Sequence, residues 1–319
     1  MSSTEATAAA PAAATPQARL ARAMDTVNQV VLGKAPQVRL AFSCLLAGGH
    51  LLIEDLPGVG KTTLAHALAT VLGARYQRIQ FTSDLMPADI LGVSIYRRDQ
   101  ERFEFHPGPI FADLVLADEV NRATPKTQSA LLEAMAEGQV TVEGVTHALP
   151  NPFFVIATQN PLDLVGTFPL PDSQLDRFLL SIRLGFPDPA AERELLVAES
   201  RADVLARVPP MLSMDDVAAL QAECAAVHTS DALLDYVQAL LAETRDDRWF
   251  ESGLSPRAGI ALMRCGRAHA YLDGRDFVEP EDIKAVFLGL TRHRMTVPAG
   301  MDATVEDQVT ALLERVAIP

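Results

Sequence analysis

Three stretches of the sequence carry side chains whose types and spacing suit work on a bound triphosphate. The first, LLIEDLPGVGKTTL, sets a glycine-rich turn between an apolar run and a helical pattern. That is the context in which backbone N–H groups can close around an anion. Gly58 and Gly60 let the chain turn tightly, and Lys61 supplies a point charge for the outer phosphates. The Thr62 hydroxyl can take a place in the coordination shell of Mg²⁺. Gly58, Val59, Gly60, Lys61, Thr62 and Thr63 are therefore the candidate phosphate contacts, at the positive end of the helix that starts there. The general pattern GxxxxGK[ST] has glycine where this chain carries Asp55.

The second stretch, ADLVLADEVNRA, is an apolar run ending in Asp118 and Glu119. A carboxylate at a strand tip beside a phosphate loop can hold Mg²⁺ through its water shell, and its neighbour can orient and deprotonate an attacking water. Asp118 takes the metal role with Thr62, and Glu119 takes the general-base role. The third stretch, NPFFVIATQNP, ends in Gln159 and Asn160. Asn160 can hydrogen-bond the terminal phosphate or the water, and it also suits a turn before Pro161. Arg177, in PLPDSQLDRFLL, precedes the last apolar run and reads equally as a surface ion-pair residue.

These groups need a scaffold that brings strand ends together. Short apolar runs at Leu51–Ile53, Tyr76–Phe81, Leu114–Ala117, Phe153–Thr158 and Leu179–Leu184 alternate with helical periods, including Pro125 to Glu137 with Thr124 as its cap. This is the pattern of an α/β unit with a mostly parallel sheet covered on both faces. Near Gly185-Phe186-Pro187-Asp188-Pro189 the texture changes, and only helices follow: Ala191–Leu205, Met214–Val227, Ala232–Thr244, Pro256–Leu272, Pro280–Leu290 and Val305–Val316. The expected organisation is a disordered Ala/Pro-rich tail over 1–18, an α/β core over 19–186 and a helical domain over 187–319.

Bulk properties narrow the class. The chain has 319 residues and a formal net charge of −14, from 27 basic and 41 acidic side chains, which argues against a constitutive nucleic-acid binder. No apolar run reaches the roughly 18 residues of a membrane span. The N-terminus lacks the basic stretch and apolar block of a secretory signal, so a cytoplasmic location is expected. Cys44, Cys224 and Cys265 lie far apart and suit buried thiols, and the histidines lack metal-site spacing.

The succession PGVGKT, FTSDLMPADILG, GPIFADLVLADEVNRATPKTQSALLEAMAEGQV, FFVIATQNP, GTFPLPDSQLDRF and SPRA resembles the MoxR family of AAA+ ATPases, over roughly residues 20 to 318. The resemblance implies a P-loop AAA+ core with five strands in the order 5-1-4-3-2, an all-α lid, and ATP with Mg²⁺ between them at a subunit interface. It implies that Asn160 is sensor 1, Arg177 an arginine finger reaching a neighbour's phosphate, and Arg257 sensor 2. Ser255 and Pro256 suit the cap and first position of the helix that carries Arg257. Val31 and Leu32 fall where family members pass the adenine, although they also suit plain core packing; Lys34 stands where glutamine is usual.

Two insertions, SIYRRDQERFEF and GQVTVEGVTHALP, read as hairpins, the first with Phe103 and Phe105 on one face. In related rings such hairpins point toward the pore; as solvated amphipathic hairpins they need no such role. The leading expectation is a ring-shaped homo-oligomer of six subunits that remodels protein clients, including partners with von Willebrand factor A domains. A nucleic-acid motor and an ATP-gated scaffold with little turnover are the alternatives. If Arg177 serves the neighbouring site, Arg177→Ala should leave ATP affinity nearly unchanged and lower turnover by a factor on the order of 10³ or more. Titration of a fluorescent nucleotide and a phosphate-release assay check the two halves separately.

Overall fold

The computed structural model describes residues 15–161, 166–197 and 199–318. The strands are β1 (Leu51–Glu54), β2 (Tyr76–Gln80), β3 (Gly92–Arg97), β4 (Arg102–Pro107), β5 (Leu114–Asp118), β6 (Gln139–Val142), β7 (Val145–Ala148), β8 (Phe154–Gln159) and β9 (Leu180–Ile182). The helices before β9 are α1 (Pro16–Val30), α2 (Ala35–Leu46), α3 (Lys61–Val71), α4 (Pro87–Leu91), α5 (Pro125–Glu137) and α6 (Asp172–Leu175). After it come α7 (Pro189–Val197), α8 (Arg201–Ala206), α9 (Met214–Ala225), α10 (Asp231–Thr244), α11 (Pro256–Leu272), α12 (Pro280–Thr291) and α13 (Val305–Arg315).

The central sheet runs β2-β5-β8-β1-β9, and all its pairings are parallel. Counting only these five strands along the chain, the order is 5-1-4-3-2, as the resemblance implied. Side chains on a strand alternate between faces, and burial follows that alternation. Leu51, Ile53, Leu114, Leu116, Phe154 and Ile156 join one hydrophobic cluster, with α1 to α3 and the later helices. Leu52, Val115, Ala117, Val155 and Ala157 join the other, with Leu131, Leu132 and Met135 of α5. Near-continuous apolar strands are what two covered faces require.

The later helices share the first of these clusters, in which Leu220, Leu262, Cys265 and Phe287 are contiguous with the sheet face. The boundary at 186/187 thus marks a change of secondary structure within one continuous core. An ion-pair network joins the two parts: Arg39 of α2 donates to His269 Nε2 (2.9 Å) and to the His269 carbonyl (3.1 Å). His269 Nδ1 donates to Asp282 (2.8 Å), which also receives both Arg275 terminal nitrogens (2.7 Å each). Burial would raise the Asp282 carboxyl, but Arg275, His269 and the Glu279 N–H hold it well below the usual carboxylate range. With these partners in place, the His269–Asp273–Asp282 cluster reads as structural.

Several expectations change in detail. Thr15 accepts the Ala18 N–H and α1 starts at Pro16, so the expected tail overlaps a helix over 16–18; residues 1–14 lie outside the described residues. The helix expected over 191–205 is two helices, with an extended Ser200 before Arg201 and residue 198 outside the described residues. Thr124 stands at the start of α5, but its hydroxyl meets that of Thr127 (3.2 Å) and makes no cap bond, whereas Ser255 accepts the Ala258 N–H as expected. Both insertions are hairpins, β3–β4 and β6–β7, and Phe105 stacks on His147 at 3.9 Å to join them. Phe103 pairs instead with Tyr96 at 5.2 Å and stays 65% exposed. The cysteines are free and buried, and burial pushes the Cys224 and Cys265 thiols up to about 12. Among the described residues no helix is long and apolar enough to cross a membrane.

Two histidines, His50 partly buried and His293 buried, make stability depend on pH. His50 accepts the Val155 N–H at Nδ1 (3.1 Å) and donates from Nε2 to the Met135 carbonyl (3.2 Å); burial lowers its pKa to about 4. His293 faces the Phe178 carbonyl at 3.1 Å, and burial, aided by the Arg294 charge, lowers it to about 3. The unfolded chain therefore binds protons first, near pH ~6.5. The stability held by the neutral rings is complete above that value and is lost as pH falls toward the folded values. The melting temperature should drop progressively from pH 6.5 to 4. His293→Gln, which keeps a donor but cannot titrate, should flatten that slope in a calorimetric scan.

Candidate functional site

The phosphate loop leaves the end of β1 and enters α3. Gly58 (φ +84°) and Gly60 (φ +99°) adopt left-handed conformations, and a Cβ on either would meet nothing within 4 Å. Glycine is needed there for the backbone turn, and the space in front of the loop is open. That space is a cavity of about 360 Å³, lined by Gly58, Gly60, Lys61, Thr62, Thr63, Asp118, Glu119 and Asn160, with Arg78 and Gln80 of β2. Most of the residues singled out for phosphate, metal and water chemistry thus meet in one place. Lys61 Nζ donates to the carbonyls of Asp55 (2.6 Å) and Leu56 (3.1 Å). Burial lowers its pKa, against the opposing pull of Asp55, Asp118 and Glu119.

Parallel pairing explains the convergence. Gln80 is in register with Asp118, Ala117 with Ala157, and Glu54 with Gln159, so the C-terminal ends of β1, β2, β5 and β8 share one edge. Asp118 is held on both oxygens: Oδ1 accepts the Thr158 hydroxyl (2.6 Å), and Oδ2 accepts Arg78 Nε (3.1 Å) and Nη2 (2.5 Å). Glu119 has φ +57° and ψ +49°, a left-handed conformation that costs a non-glycine residue about 1–3 kcal/mol. Its N–H donates to Thr158 Oγ1 (2.9 Å), so one hydroxyl fixes both carboxylate residues. The Glu119 carboxylate accepts Gln80 Nε2 (2.9 Å) and lies 3.0 Å from Arg122 Nε.

Thr158, Arg78, Gln80 and Arg122 were not singled out from sequence. Arg78 and Gln80 did leave a trace, as polar residues two apart in a strand read as core. Beside the phosphate cavity, a second one of about 400 Å³ shares Gly58, Gly60 and Thr63 with it. Val31, Leu32 and Val59 line it, opposite Phe186, Leu195 and Leu196. Lys34, the departure from glutamine, is buried, and its amine donates to the Phe186 carbonyl (2.6 Å).

Comparison with known proteins gives this arrangement its family. Residues 50–180 match the ATPase family associated with various cellular activities (AAA), and residues 242–313 match the AAA lid domain. Chaperone MoxR1 of Mycobacterium tuberculosis is 38% identical, over 94% of this chain and 82% of that one. The chain belongs to the MoxR family of AAA+ ATPases. YeaC of Bacillus subtilis is 46% identical over 86% of each chain. A solved structure from Cytophaga hutchinsonii has a TM-score of 0.88 and 36% identity, covering 95% of this chain and 96% of that one.

Within this AAA+ architecture, Arg177 and Arg257 come together away from the phosphate cavity. Both line a separate cavity of about 210 Å³, with Arg264, Arg294 and Asp176. Arg177 Nη1 donates to the Leu132 carbonyl (2.7 Å), and Arg257, two-thirds exposed, lies 3.9 Å from Asp176. The buried Arg294 staples this region by donating to Asp176 Oδ1 (2.8 Å) and the Phe178 carbonyl (2.6 Å). Arg257 therefore does not line the phosphate cavity of its own chain.

The double role of Thr158 can be tested. Thr158→Val keeps the shape but removes the donor to Asp118 and the acceptor for Glu119, interactions worth about 1.5–3 kcal/mol for a charged partner. ATP turnover should fall about 10- to 100-fold with nucleotide affinity little changed, and Thr158→Ser should restore it. Steady-state kinetics with parallel binding titrations checks this.

Proposed function

We propose that the protein hydrolyses ATP in a head-to-tail ring of its own copies, six by family resemblance, and uses the cycle to remodel protein clients in the cytoplasm. The observation that carries this is the separation of the phosphate cavity from a second, arginine-rich one on the same chain. Neither Arg177 nor Arg257 lines the cavity that holds Lys61, which is what a pocket finished by a neighbour requires.

The chain's own residues divide the work. The loop N–H groups around Gly58 and Gly60 receive the phosphates, and Lys61 turns from the Asp55 and Leu56 carbonyls to their charge. Thr62 and Asp118 suit Mg²⁺: one hydroxyl opens into the cavity, and one carboxylate is oriented by Thr158. When bound, that ion neutralises charge on the phosphate oxygens. Glu119 takes a proton from water as the water oxygen bonds to the γ-phosphorus and the bond to ADP breaks. Gln80 and Arg122 hold the Glu119 carboxylate until then. Asn160 orients the water from the tip of β8, and Val31 and Leu32 face the base across the adjoining cavity. Arg177 and Arg257 of a neighbouring subunit complete the charge on the phosphate side, where planar guanidinium groups bind oxygens two at a time.

Protein clients are favoured over nucleic acid by the net charge of −14. The Mycobacterium tuberculosis relative, named a chaperone, supports the same reading, and family resemblance adds von Willebrand factor A domain proteins as partners. Mixing tests the shared site. Lys61→Ala, with intact arginines, and Arg177→Ala, with an intact loop, should each be inactive alone. Mixed one to one, about a quarter of the interfaces are competent and turnover should return to that order. A mixture as inactive as its parts, under conditions where the copies co-assemble, overturns the shared site.

A further inference from the structure

The residue that departs from the P-loop pattern has contacts that glycine could not make. Asp55 is buried at 7% exposure, immediately after β1. Its Oδ1 accepts the Leu56 N–H (2.8 Å), inside the phosphate loop. Its Oδ2 accepts the Gly185 N–H (2.6 Å), 130 residues away, in the segment joining β9 to α7. Through its backbone the same residue accepts Lys61 Nζ (2.6 Å) and donates to Gln159 beside Asn160 (3.1 Å).

The connector it grips is held again further along. Gly185 is left-handed (φ +63°), and the Phe186 carbonyl accepts buried Lys34 (2.6 Å). Asp188 Oδ1 then accepts the N–H groups of Ala190 and Ala191 (2.9 Å each), starting α7. At Gly33 (φ +68°) a side chain would come within 2.9 Å of the Ala191 Cβ, so the end of this segment packs directly on the turn beside Val31 and Leu32. Connector and α7 together supply Phe186, Leu195 and Leu196, the wall facing Val31 and Leu32 across the base-side cavity.

We propose that Asp55 is a positioning residue that ties the phosphate loop to the Gly185–Asp188 connector, so that phosphate occupancy sets the base-side wall of the nucleotide pocket. This rests on the ATP-binding reading above. Lys61 is now bonded to the two carbonyls that flank the Asp55 carboxylate's own loop contact. A phosphate that draws Lys61 away frees those peptides, and the carboxylate carries the change to Gly185. A purely local role, satisfying one N–H of the loop, would leave the connector independent of the ligand.

Hydrogen–deuterium exchange on the full chain separates the two roles. In a Glu119→Gln background, saturating Mg-ATP should protect both the loop, 56–63, and the connector with α7, 185–197. Asp55→Asn keeps one acceptor but turns an amide N–H₂ toward Leu56 or Gly185; Asp55→Gly restores the general pattern and leaves no misfit polar group. In each, loop protection at saturation should persist while connector protection is lost, with ATP affinity reduced about tenfold or more. Connector protection retained in both variants, loop and connector protection lost together in both, or a connector unprotected in the parent while its loop is protected would each overturn the proposal. No protection of either segment in the parent would instead overturn the ATP-binding reading itself.

Discussion

Parallel pairing of β1, β5 and β8 is the constraint on which the site depends. Parallel strands joined by helical crossovers all end at the same edge, and here the register is close enough that Gln159 lies opposite Glu54 and Gln80 opposite Asp118. A glycine turn, two carboxylates and an amide, far apart along the chain, become neighbours for that reason alone. A shift of one residue in any of these pairings would turn the functional side chain to the other face of the sheet. The interleaved burial of successive strand residues in two separate clusters opposes such a shift, because it would expose apolar groups on both faces at once.

Polar residues at that edge are held in pairs. Thr158 gives its proton to Asp118 and takes one from the Glu119 backbone, which stabilises a left-handed glutamate that would otherwise be disfavoured. Glu54 works in the same way one strand over, accepting Gln159 Nε2 (2.6 Å) and the Ser181 hydroxyl (2.9 Å). Strain at Glu119 is thus matched by contacts from a neighbouring strand.

The helical part, which follows β9 and includes the stretch matching the AAA lid domain, is packed firmly on the core. It continues the hydrophobic cluster of one sheet face, is pinned to α2 through Arg39 and His269, and is stapled to the entry of β9 by Arg294. These contacts carry Arg257 to the side of Arg177. The arginines thus line a cavity distinct from the one that Lys61 lines.

Residue type and local spacing were enough for the phosphate loop, the Asp118–Glu119 pair, all five sheet strands and most helix starts, because each rests on contacts within a few residues: a glycine turn, an apolar run, a cap. The MoxR resemblance added the strand order and, for the arginines, an expectation. Long-range partners were not legible. Nothing near residue 158 says that its hydroxyl will bridge two residues forty positions earlier, and Asp55 reads as a blemish until Gly185 is brought beside it. Arg257 had the right helix and cap, but which cavity it faces depends on how α11 packs against α2, and local sequence does not encode that. Sequence alone determined which groups can grip a triphosphate and attack it. The tertiary structure decided which of them share a cavity and which lie apart, because only packing converts separation along the chain into distance in space.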